Sequence, residues 1–424
     1  MRTVTAAVLL MALAACGSNN NDNSNSPQPT GVATTAFAAT PTAVATVENG
    51  ADSMASKDPG QGQQTATQHP DPVQRPIMQA QVVLDRQGFG PGVIDGKMGL
   101  STRNALQGFQ EAHGLTISGE LDEATKQALG QWSNIPATRV VRIPQDWGDR
   151  PYQKVPSDPA QQAQMQRLGY ESLDERLSER FHTTVAVLKQ LNPGGKPAGV
   201  KAADLAGGGI ATAQGNAKAA EQTGATASPS PSVSPSPDVA EGARSVFTAG
   251  QLVRVPNVGA DGIDADKVQD KTWQATLASL GVGTGEPMAA KIVVSKRGKW
   301  LKVYDTGGKL VAEFTVSSGS SHDPLPLGNW GITGIDHNPY FSYNPKLLWD
   351  VPDTKAKQRL PPGPNGPVGV VWIALTKKHY GIHGTPDPEL IGRTQSHGCV
   401  RLTNWDAARL AQMVDKSTKV VFQA

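Results

Sequence analysis

Between residues 72 and 132 apolar side chains recur at the spacing of amphipathic helices. Asp122 and Ser101 are predicted N-caps, whereas Gly88, Gly114 and Gly130 stand where helices commonly end. The two predicted helix faces consist of Ala80, Val83, Leu84 and Gln87, and of Ala105, Leu106 and Phe109. The pattern predicts three short helices.

A second helical region lies between residues 152 and 195. Ser172 and Glu175 have the spacing of a capping box, and Thr184 is suited to cap the next helix. The apolar residues of this predicted helix pair are Leu173, Leu177, Phe181, Leu188 and Leu191. A strand at residues 252–256 and a helix at residues 273–280 are predicted further along.

After residue 288 the apolar period becomes that of strands. The predicted strands are 292–294, 300–304, 310–316, 330–335, 368–375, 379–383 and 420–422. Asn404 is suited to cap the one clear helix of this region, Trp405 to Val414. We expect a mainly β sandwich with one helix.

Two stretches lack apolar periodicity and are rich in small polar residues and proline. Residues 16–71 are predicted to be a disordered tether, and residues 197–245 a low-complexity insert. Residues 259–287 are polar and are predicted to connect domains. With 424 residues, 45 glycines and 32 prolines, the chain has room for two or three domains joined by linkers.

The N-terminus is typical of an exported lipoprotein. A short apolar run follows Met1-Arg2 and leads into Leu13-Ala14-Ala15-Cys16, which resembles a lipobox. We expect residues 1–15 to be removed and Cys16 to carry acyl chains, so that the membrane is a partner through lipidated Cys16. An ordinary cleaved signal is the alternative. The predicted location is the periplasmic side of a membrane, the outer membrane in a Gram-negative cell, facing the cell wall.

Charge excludes some partners. The formal net charge of +2 favours neither nucleic acid nor an anionic membrane surface. Any chemistry must therefore come from local sites.

One local site stands out near the C-terminus. Cys399 lies beside His397 and 16 residues after His383, and Cys16 is the only other cysteine in the chain. If Cys16 is lipidated, Cys399 has no disulfide partner within the chain, which makes it a candidate nucleophile. A thiol attacking an amide must lose its proton, and a neighbouring imidazole can accept it.

His383-Gly384-Thr385 followed by Ser396-His397-Gly398-Cys399-Val400-Arg401 resembles the L,D-transpeptidase catalytic domain of the YkuD family. The resemblance implies a domain over residues 288–424 that joins peptidoglycan stems through a cysteine acyl-enzyme, without a cofactor or metal. It makes Cys399 the nucleophile and His383 its base, with His397 in a supporting role. A backbone carbonyl near Gly384 is expected to orient His383, because no carboxylate belongs to the motif.

The remaining site residues are assigned by chemistry. Backbone N–H groups of Gly398 and Cys399 are expected to stabilise the oxyanion. Arg401 is suited to bind a substrate carboxylate, or else to support the loop through a salt bridge. Ser396 is predicted to form hydrogen bonds within the substrate-binding loop. Tyr380 either lines the substrate cleft or packs on its strand.

Two more resemblances concern the helical regions. Ile94-Asp95-Gly96-Lys97-Met98-Gly99-Leu100-Ser101-Thr102, with the glycines that follow, resembles the three-helix peptidoglycan-binding domain, predicted at residues 72–132. Residues 152–256, interrupted by the insert, resemble a LysM module with an α+β fold. The fold class is therefore multidomain, with peptidoglycan stem peptides and glycan as partners. A spacer without glycan affinity is the alternative for the LysM-like segment.

Three other functions remain open. Hydrolysis of the acyl-enzyme would make the protein an L,D-carboxypeptidase. His379, His383, His397 and Cys399 can in principle bind zinc, although no familiar zinc-ligand spacing is present. A wall-binding lipoprotein without activity is the third.

Overall fold

The computed structural model describes residues 69–149, 151–206, 244–259, 263–264, 266–348, 350–352 and 354–424. The predicted signal, Cys16, nearly all of the tether and most of the 197–245 insert lie outside the described residues. No helix among the described residues is long and apolar enough to cross a membrane.

Three helices form the first region, as predicted: α1 (Pro76–Arg86), α2 (Leu100–Ala112) and α3 (Glu123–Leu129). Asp122 caps α3 by accepting a hydrogen bond from the Thr125 N–H. The prediction of Ser101 as an N-cap is wrong, because α2 already begins at Leu100 with Gly99 at its N-cap. A two-residue strand, β1 (Phe89–Gly90), lies between α1 and α2.

The middle region pairs two strands that flank several helices. Strand β2 (Thr138–Arg142) runs antiparallel to β3 (Leu252–Pro256). Between them lie α4 (Pro159–Gln162), α5 (Leu173–Arg180), α6 (Val185–Leu191) and α7 (Ala202–Ala206). Ser172 and Thr184 cap α5 and α6 as predicted. Strand β2 was not predicted; its partner β3 is more than a hundred residues away, so no local turn signals the pair.

The C-terminal region is mainly β, as predicted. It contains α8 (Lys271–Leu280), α9 (Asn404–Met413) and eleven strands. The strands are β4 (Lys291–Ser295), β5 (Trp300–Tyr304), β6 (Leu310–Thr315), β7 (Ser317–Ser318), β8 (Gly328–His337), β9 (Phe341–Tyr343), β10 (Gln358–Leu360), β11 (Val371–Leu375), β12 (Gly381–His383), β13 (Val400–Arg401) and β14 (Lys419–Gln423). Short 3-10 turns occur at Gly130–Trp132, Gln145–Trp147, Pro193–Gly195, Pro345–Leu347 and Pro388–Leu390.

Ten strands form one sheet in the order β1-β6-β5-β4-β14-β8-β11-β12-β13-β7. The ten-residue strand β8 joins its two halves, since it pairs with β14 on one side and β11 on the other. Strands β9 and β10 form a separate hairpin. One core draws on both halves and on α9, with Phe314, Ile373 and Trp405 fully or almost fully buried.

The three-helix region and the predicted connector both contribute to this domain. Strand β1 of the three-helix region pairs in parallel with β6 and so forms an edge of the sheet. Helix α8, in the predicted connector, buries Trp273, Leu277 and Leu280 in the same core. The residues predicted to connect domains therefore complete the core of the C-terminal domain.

Helix α9 begins one residue earlier than predicted. Thr403 is its N-cap and accepts a hydrogen bond from the Asp406 N–H, so the assignment of Asn404 as the cap is wrong. Asn404 is the first residue of the helix, and its side chain is completely buried. Its side-chain amide is therefore available to bond groups outside α9.

Candidate active site

The side chains of the predicted site and those of the core lie on opposite faces of the sheet. Val371, Ile373, Ile382 and Val400 point into the core, and successive side chains of a strand point to opposite faces. His383 is in register with Trp372 on β11 and with Arg401 on β13. His383, Arg401 and, by the same alternation, Cys399 therefore share the face opposite the core.

His383 ends strand β12 and is buried. Its Nδ1 lies 2.7 Å from the carbonyl oxygen of Gly384, which is the backbone contact that the sequence predicted. The ring also stacks on Trp372, with 5.5 Å between centroids. Burial, and then the positive charge of Arg401, lower the pKa of His383 to about 3. The imidazole is therefore neutral at physiological pH and able to accept a proton.

Cys399 immediately precedes β13 and is partly exposed. Its Sγ lies 3.8 Å from the carbonyl oxygen of His379, to which the thiol donates. Burial raises the pKa of the thiol, while the backbone N–H of Gly381 and the charge of Arg401 oppose this rise. The ground state is thus a thiol on the same face of the sheet as a neutral imidazole, with the positive charge of Arg401 acting on both.

The conformation of Gly398 is specific to glycine. Its φ is +95°, and an added Cβ would lie 2.5 Å from Cε1 of Tyr380. Tyr380 therefore covers the backbone directly before the thiol. Only a residue without a side chain lets the ring approach that closely.

Ser396 and His397 make different contacts. The Ser396 hydroxyl is buried, accepts from the Gly319 N–H at 2.8 Å and donates to the carbonyl oxygen of Cys399. It fixes the loop that carries the thiol. His397 Nε2 lies 2.8 Å from Oδ1 of Asp350, a contact to the segment between β9 and β10.

Arg401 is available for a ligand. Its Nη1 is 3.5 Å from the carbonyl oxygen of Gln395, and its buried Nε has no hydrogen-bond partner among the described residues. No described carboxylate lies within salt-bridge distance of it, although Asp387 and Asp350 act on it electrostatically. The loop salt bridge that was the alternative for Arg401 is therefore not seen among the described residues.

Gly384 lies against the buried side chain of Asn404. A Cβ on Gly384, or on Gly369, would overlap the Asn404 Oδ1 atom. Two glycine backbones thus converge on one amide. Neither this contact nor the contributions of Trp372 and Asp350 could be read from the sequence, because the partners are far apart along the chain and no motif links them.

No group of three or more His, Cys, Asp and Glu side chains within the described ranges is arranged to hold a metal ion. The four candidate zinc ligands include His379, which lies on a turn with φ +69° and has an exposed side chain. The side-chain groups on this face are a thiol, an imidazole and a guanidinium. Such a set is suited to cysteine nucleophilic catalysis.

Sequence comparisons place this fold and site in a family. The profile of the YkuD family, described as the L,D-transpeptidase catalytic domain, matches residues 289–422. The profile described as "Putative peptidoglycan binding domain" matches residues 74–129. A Bacillus licheniformis protein named "Putative L,D-transpeptidase YkuD" is 30% identical over 140 residues, which are 33% of this chain and 69% of that protein. The chain belongs to the YkuD family of L,D-transpeptidases and carries an N-terminal peptidoglycan-binding domain.

Further relatives and solved structures are similar to the same region. The Fuscovulum blasticum protein named "Putative L,D-transpeptidase in ATP synthase subunits region ORF 5" is 29% identical over 178 residues, covering 41% of this chain and 89% of that protein. An L,D-transpeptidase structure from Mycobacterium smegmatis is 20% identical with a TM-score of 0.27, over 32% of this chain and 59% of that one. The E. faecium catalytic domain is 19% identical with a TM-score of 0.24, over 33% of this chain and all of that one.

Proposed function

We propose that this protein is an L,D-transpeptidase that forms 3→3 cross-links between peptidoglycan stems through a cysteine acyl-enzyme. The single observation that carries the proposal is the shared outer face of β12 and β13, where a neutral buried imidazole, a free thiol and an arginine lie together. The family membership supplies the substrate class. The role of each residue follows from its chemistry.

The acylation step begins with the transfer of the Cys399 proton to Nε2 of His383. The Nδ1–H of His383 donates to the Gly384 carbonyl and holds the ring in the tautomer with a free Nε2. Sγ then attacks the carbonyl carbon of the third stem residue. The thioester forms as the C–N bond to D-Ala breaks, and the D-Ala amine takes the proton from His383.

The second step reverses these roles. The side-chain amine of another stem attacks the thioester carbonyl and loses a proton to His383. The new amide forms as the C–S bond breaks, and His383 passes the proton to Sγ. Backbone N–H groups of Gly398 and Cys399 stabilise the oxyanion in both steps, and loss of one such donor typically costs about 10²–10³ in rate. Arg401, whose side chain is partly exposed, binds a carboxylate of the substrate through its guanidinium group.

The test is turnover of purified disaccharide-tetrapeptide, followed by mass spectrometry, with the chain from Gly17 onward. A dimer that lacks one D-Ala, formed by the wild type and not by Cys399→Ala, supports the proposal. Tripeptide alone indicates a carboxypeptidase. Activity lost to a chelator but not to thiol alkylation would overturn the cysteine mechanism in favour of a metal.

We also propose that the middle region helps to hold the enzyme on the wall. The β2-α5-α6-β3 arrangement supports a LysM-like module that binds glycan. Its buried residues, such as Leu177 and Phe181, form one core with Met78, Val82 and Ile94 of the first region. Pull-down on purified sacculi with Cys399→Ala separates binding from turnover. If the protein without residues 72–132 keeps its secondary structure by circular dichroism and no longer binds, the middle region is a spacer.

Export and lipidation at Cys16 complete the proposal. The lipobox-like Leu13-Ala14-Ala15-Cys16 supports an envelope lipoprotein that faces the cell wall. Metabolic labelling with an alkyne fatty acid should mark the wild type and Cys399→Ala but not Cys16→Ser. Labelling of Cys16→Ser would contradict this assignment.

A further inference from the structure

Asn404 contacts the backbone that orients His383. Its Oδ1 accepts from the Val370 N–H at 3.2 Å and touches both Gly384 and Gly369. The carbonyl group of Gly384 in turn accepts from Nδ1 of His383. The position of the Asn404 amide therefore determines where that carbonyl lies.

Two acceptors face the NH2 group of Asn404, and one of them lies outside the catalytic domain. Its Nδ2 donates to Oε1 of Glu179 at 2.7 Å and to the carbonyl oxygen of Pro364 at 3.1 Å. Glu179 lies on α5 of the middle region, well before the matched catalytic residues 289–422. Because both partners are acceptors, the NH2 group must face them and Oδ1 must face Gly384.

Glu179 is itself held in place. Its side chain is buried, with 7% of the residue exposed. The Tyr170 hydroxyl interacts with the carboxyl group. The loop that contains Pro364 is attached to the same region, since the Leu168 N–H donates to the Pro362 carbonyl oxygen at 3.0 Å and Asn365 donates to the Leu168 carbonyl oxygen at 3.0 Å. A carboxylate buried at such cost is expected to have a defined hydrogen-bonding task.

We propose that Glu179 is a positioning residue for His383, acting through the amide of Asn404 and the carbonyl of Gly384. The inference rests on the proposed function, in which His383 is the base. It makes the catalytic geometry dependent on the region that is LysM-like. A catalytic domain separated from α5 would keep Cys399, His383 and the Pro364 carbonyl, but the NH2 group of Asn404 would lose Glu179 as its shorter-bonded acceptor.

The test compares Glu179→Met, which keeps the volume and removes the acceptor, with Glu179→Gln, which keeps an acceptor oxygen. Asp174→Leu is the matched control, because Asp174 is a buried acid on the same helix and accepts from the Val246 and Phe247 N–H groups, away from Asn404 and the Pro364 loop. The first readout is the exchange rate of the His383 Nδ1–H in protein labelled with ¹⁵N-histidine, assigned with His383→Ala. The second is D-Ala release.

We expect Nδ1–H exchange to be at least about tenfold faster in Glu179→Met, and kcat for D-Ala release to fall about tenfold with KM changed less than about twofold. Glu179→Gln and Asp174→Leu should stay near the wild type in both. Unchanged exchange in a folded Glu179→Met, or equal acceleration in a folded Asp174→Leu, would overturn the proposal. Glu179→Ala gives the same comparison if Glu179→Met does not fold. Wild-type protein that releases no D-Ala would contradict the proposed function, while the exchange rates would still decide the positioning role.

Discussion

The Nδ1 atom of His383 and the carbonyl oxygen of Gly384 lie 2.7 Å apart, inside a site where burial and Arg401 keep the pKa of the imidazole near 3. A neutral ring that donates from Nδ1 must leave Nε2 unprotonated. The base is thus ready before substrate arrives. The thiol, whose pKa is raised by burial, is not yet ionised.

The first prediction concerns the pH dependence of Cys399 alkylation in the free protein. The raised thiol pKa means that the thiolate fraction grows as pH rises, and His383 is already neutral throughout this range. The iodoacetamide rate should therefore rise about tenfold per pH unit between roughly pH 6 and 8. Cys399→Ala is the control. A rate that stays level through this range would show a preformed thiolate–imidazolium pair instead.

The second prediction separates the two histidines of the motif. His383→Ala removes the base and should lower turnover by about 10²–10⁴. His397 contacts Asp350 at the site's edge, so His397→Ala should cost about tenfold or less. Asp350→Ala should resemble His397→Ala if that contact carries the effect. The ranking is measured as D-Ala release, and a larger loss for His397→Ala would reverse the roles proposed for the two side chains.

The third prediction concerns Gly398. With φ at +95° and Tyr380 2.5 Å from any added Cβ, Gly398→Ala must move either the ring or the backbone before the thiol. We expect turnover to fall by about 10² or more and stability to drop by about 1–3 kcal/mol. Gly130→Ala is the matched control, since Gly130 has a helical φ of −58° and open space at Cβ. Activity near wild type in Gly398→Ala would mean that the loop tolerates displacement and that its N–H groups are not the oxyanion donors.

How much of this could be read from the sequence differs between the sheet and the site. The strand period located most of the long strands, and local motifs located Cys399 and His383, together with the Gly384 carbonyl that His383 contacts. The contact of Cys399 with the His379 carbonyl was not predicted. The contacts that complete the site are distant in the chain: His397 bonds Asp350, 47 positions away, and Asn404 bonds Glu179, 225 positions away. Side-chain periodicity reports which face is buried, and it carries no information on which distant polar group will meet another there.

The same limit explains the edge strands. Residues 89–90, which form β1, are too short to show a period, and they become a strand only because β6 offers a free edge. Asparagine is a residue type that favours N-caps, but Thr403 rather than Asn404 has the extended backbone that capping needs. A tertiary contact therefore decides β1, whereas the backbone conformation of two neighbouring residues decides the cap of α9.

The fourth prediction concerns Arg409, which joins the domains. Its Nη1 donates to the Asp85 carbonyl oxygen at 2.8 Å and its Nε to Oε1 of Glu286 at 2.7 Å. Arg409→Met leaves buried acidic groups without their partner, so the free energy of unfolding should fall by about 3–5 kcal/mol. Urea titration measures this. Lys126→Met breaks the exposed pair with Glu123 and should cost less than about 1 kcal/mol. Equal effects would mean that the buried pair does not stabilise the domain contact.

The fifth prediction concerns Glu313, a buried carboxyl on β6 beside Gly108 of the peptidoglycan-binding domain. Burial raises its pKa to about 8, with Lys302 at 3.7 Å opposing the rise and Glu111 adding to it. Since the folded state holds this proton more tightly than the unfolded chain, its contribution is fully present below about pH 4.5. That contribution is lost as pH rises towards 8.

Glu313→Gln keeps the shape and removes the titration. We therefore compare the melting temperature of Glu313→Gln with that of the wild type at each pH. The difference, variant minus wild type, should be roughly 2 to 8 °C larger at pH 9 than at pH 5. Thermal unfolding at several pH values measures the difference, with Glu123→Gln on the exposed face of α3 as the control that should show none. A constant difference across pH would mean that Glu313 is ionised in the folded protein and that Lys302, rather than burial, governs its charge.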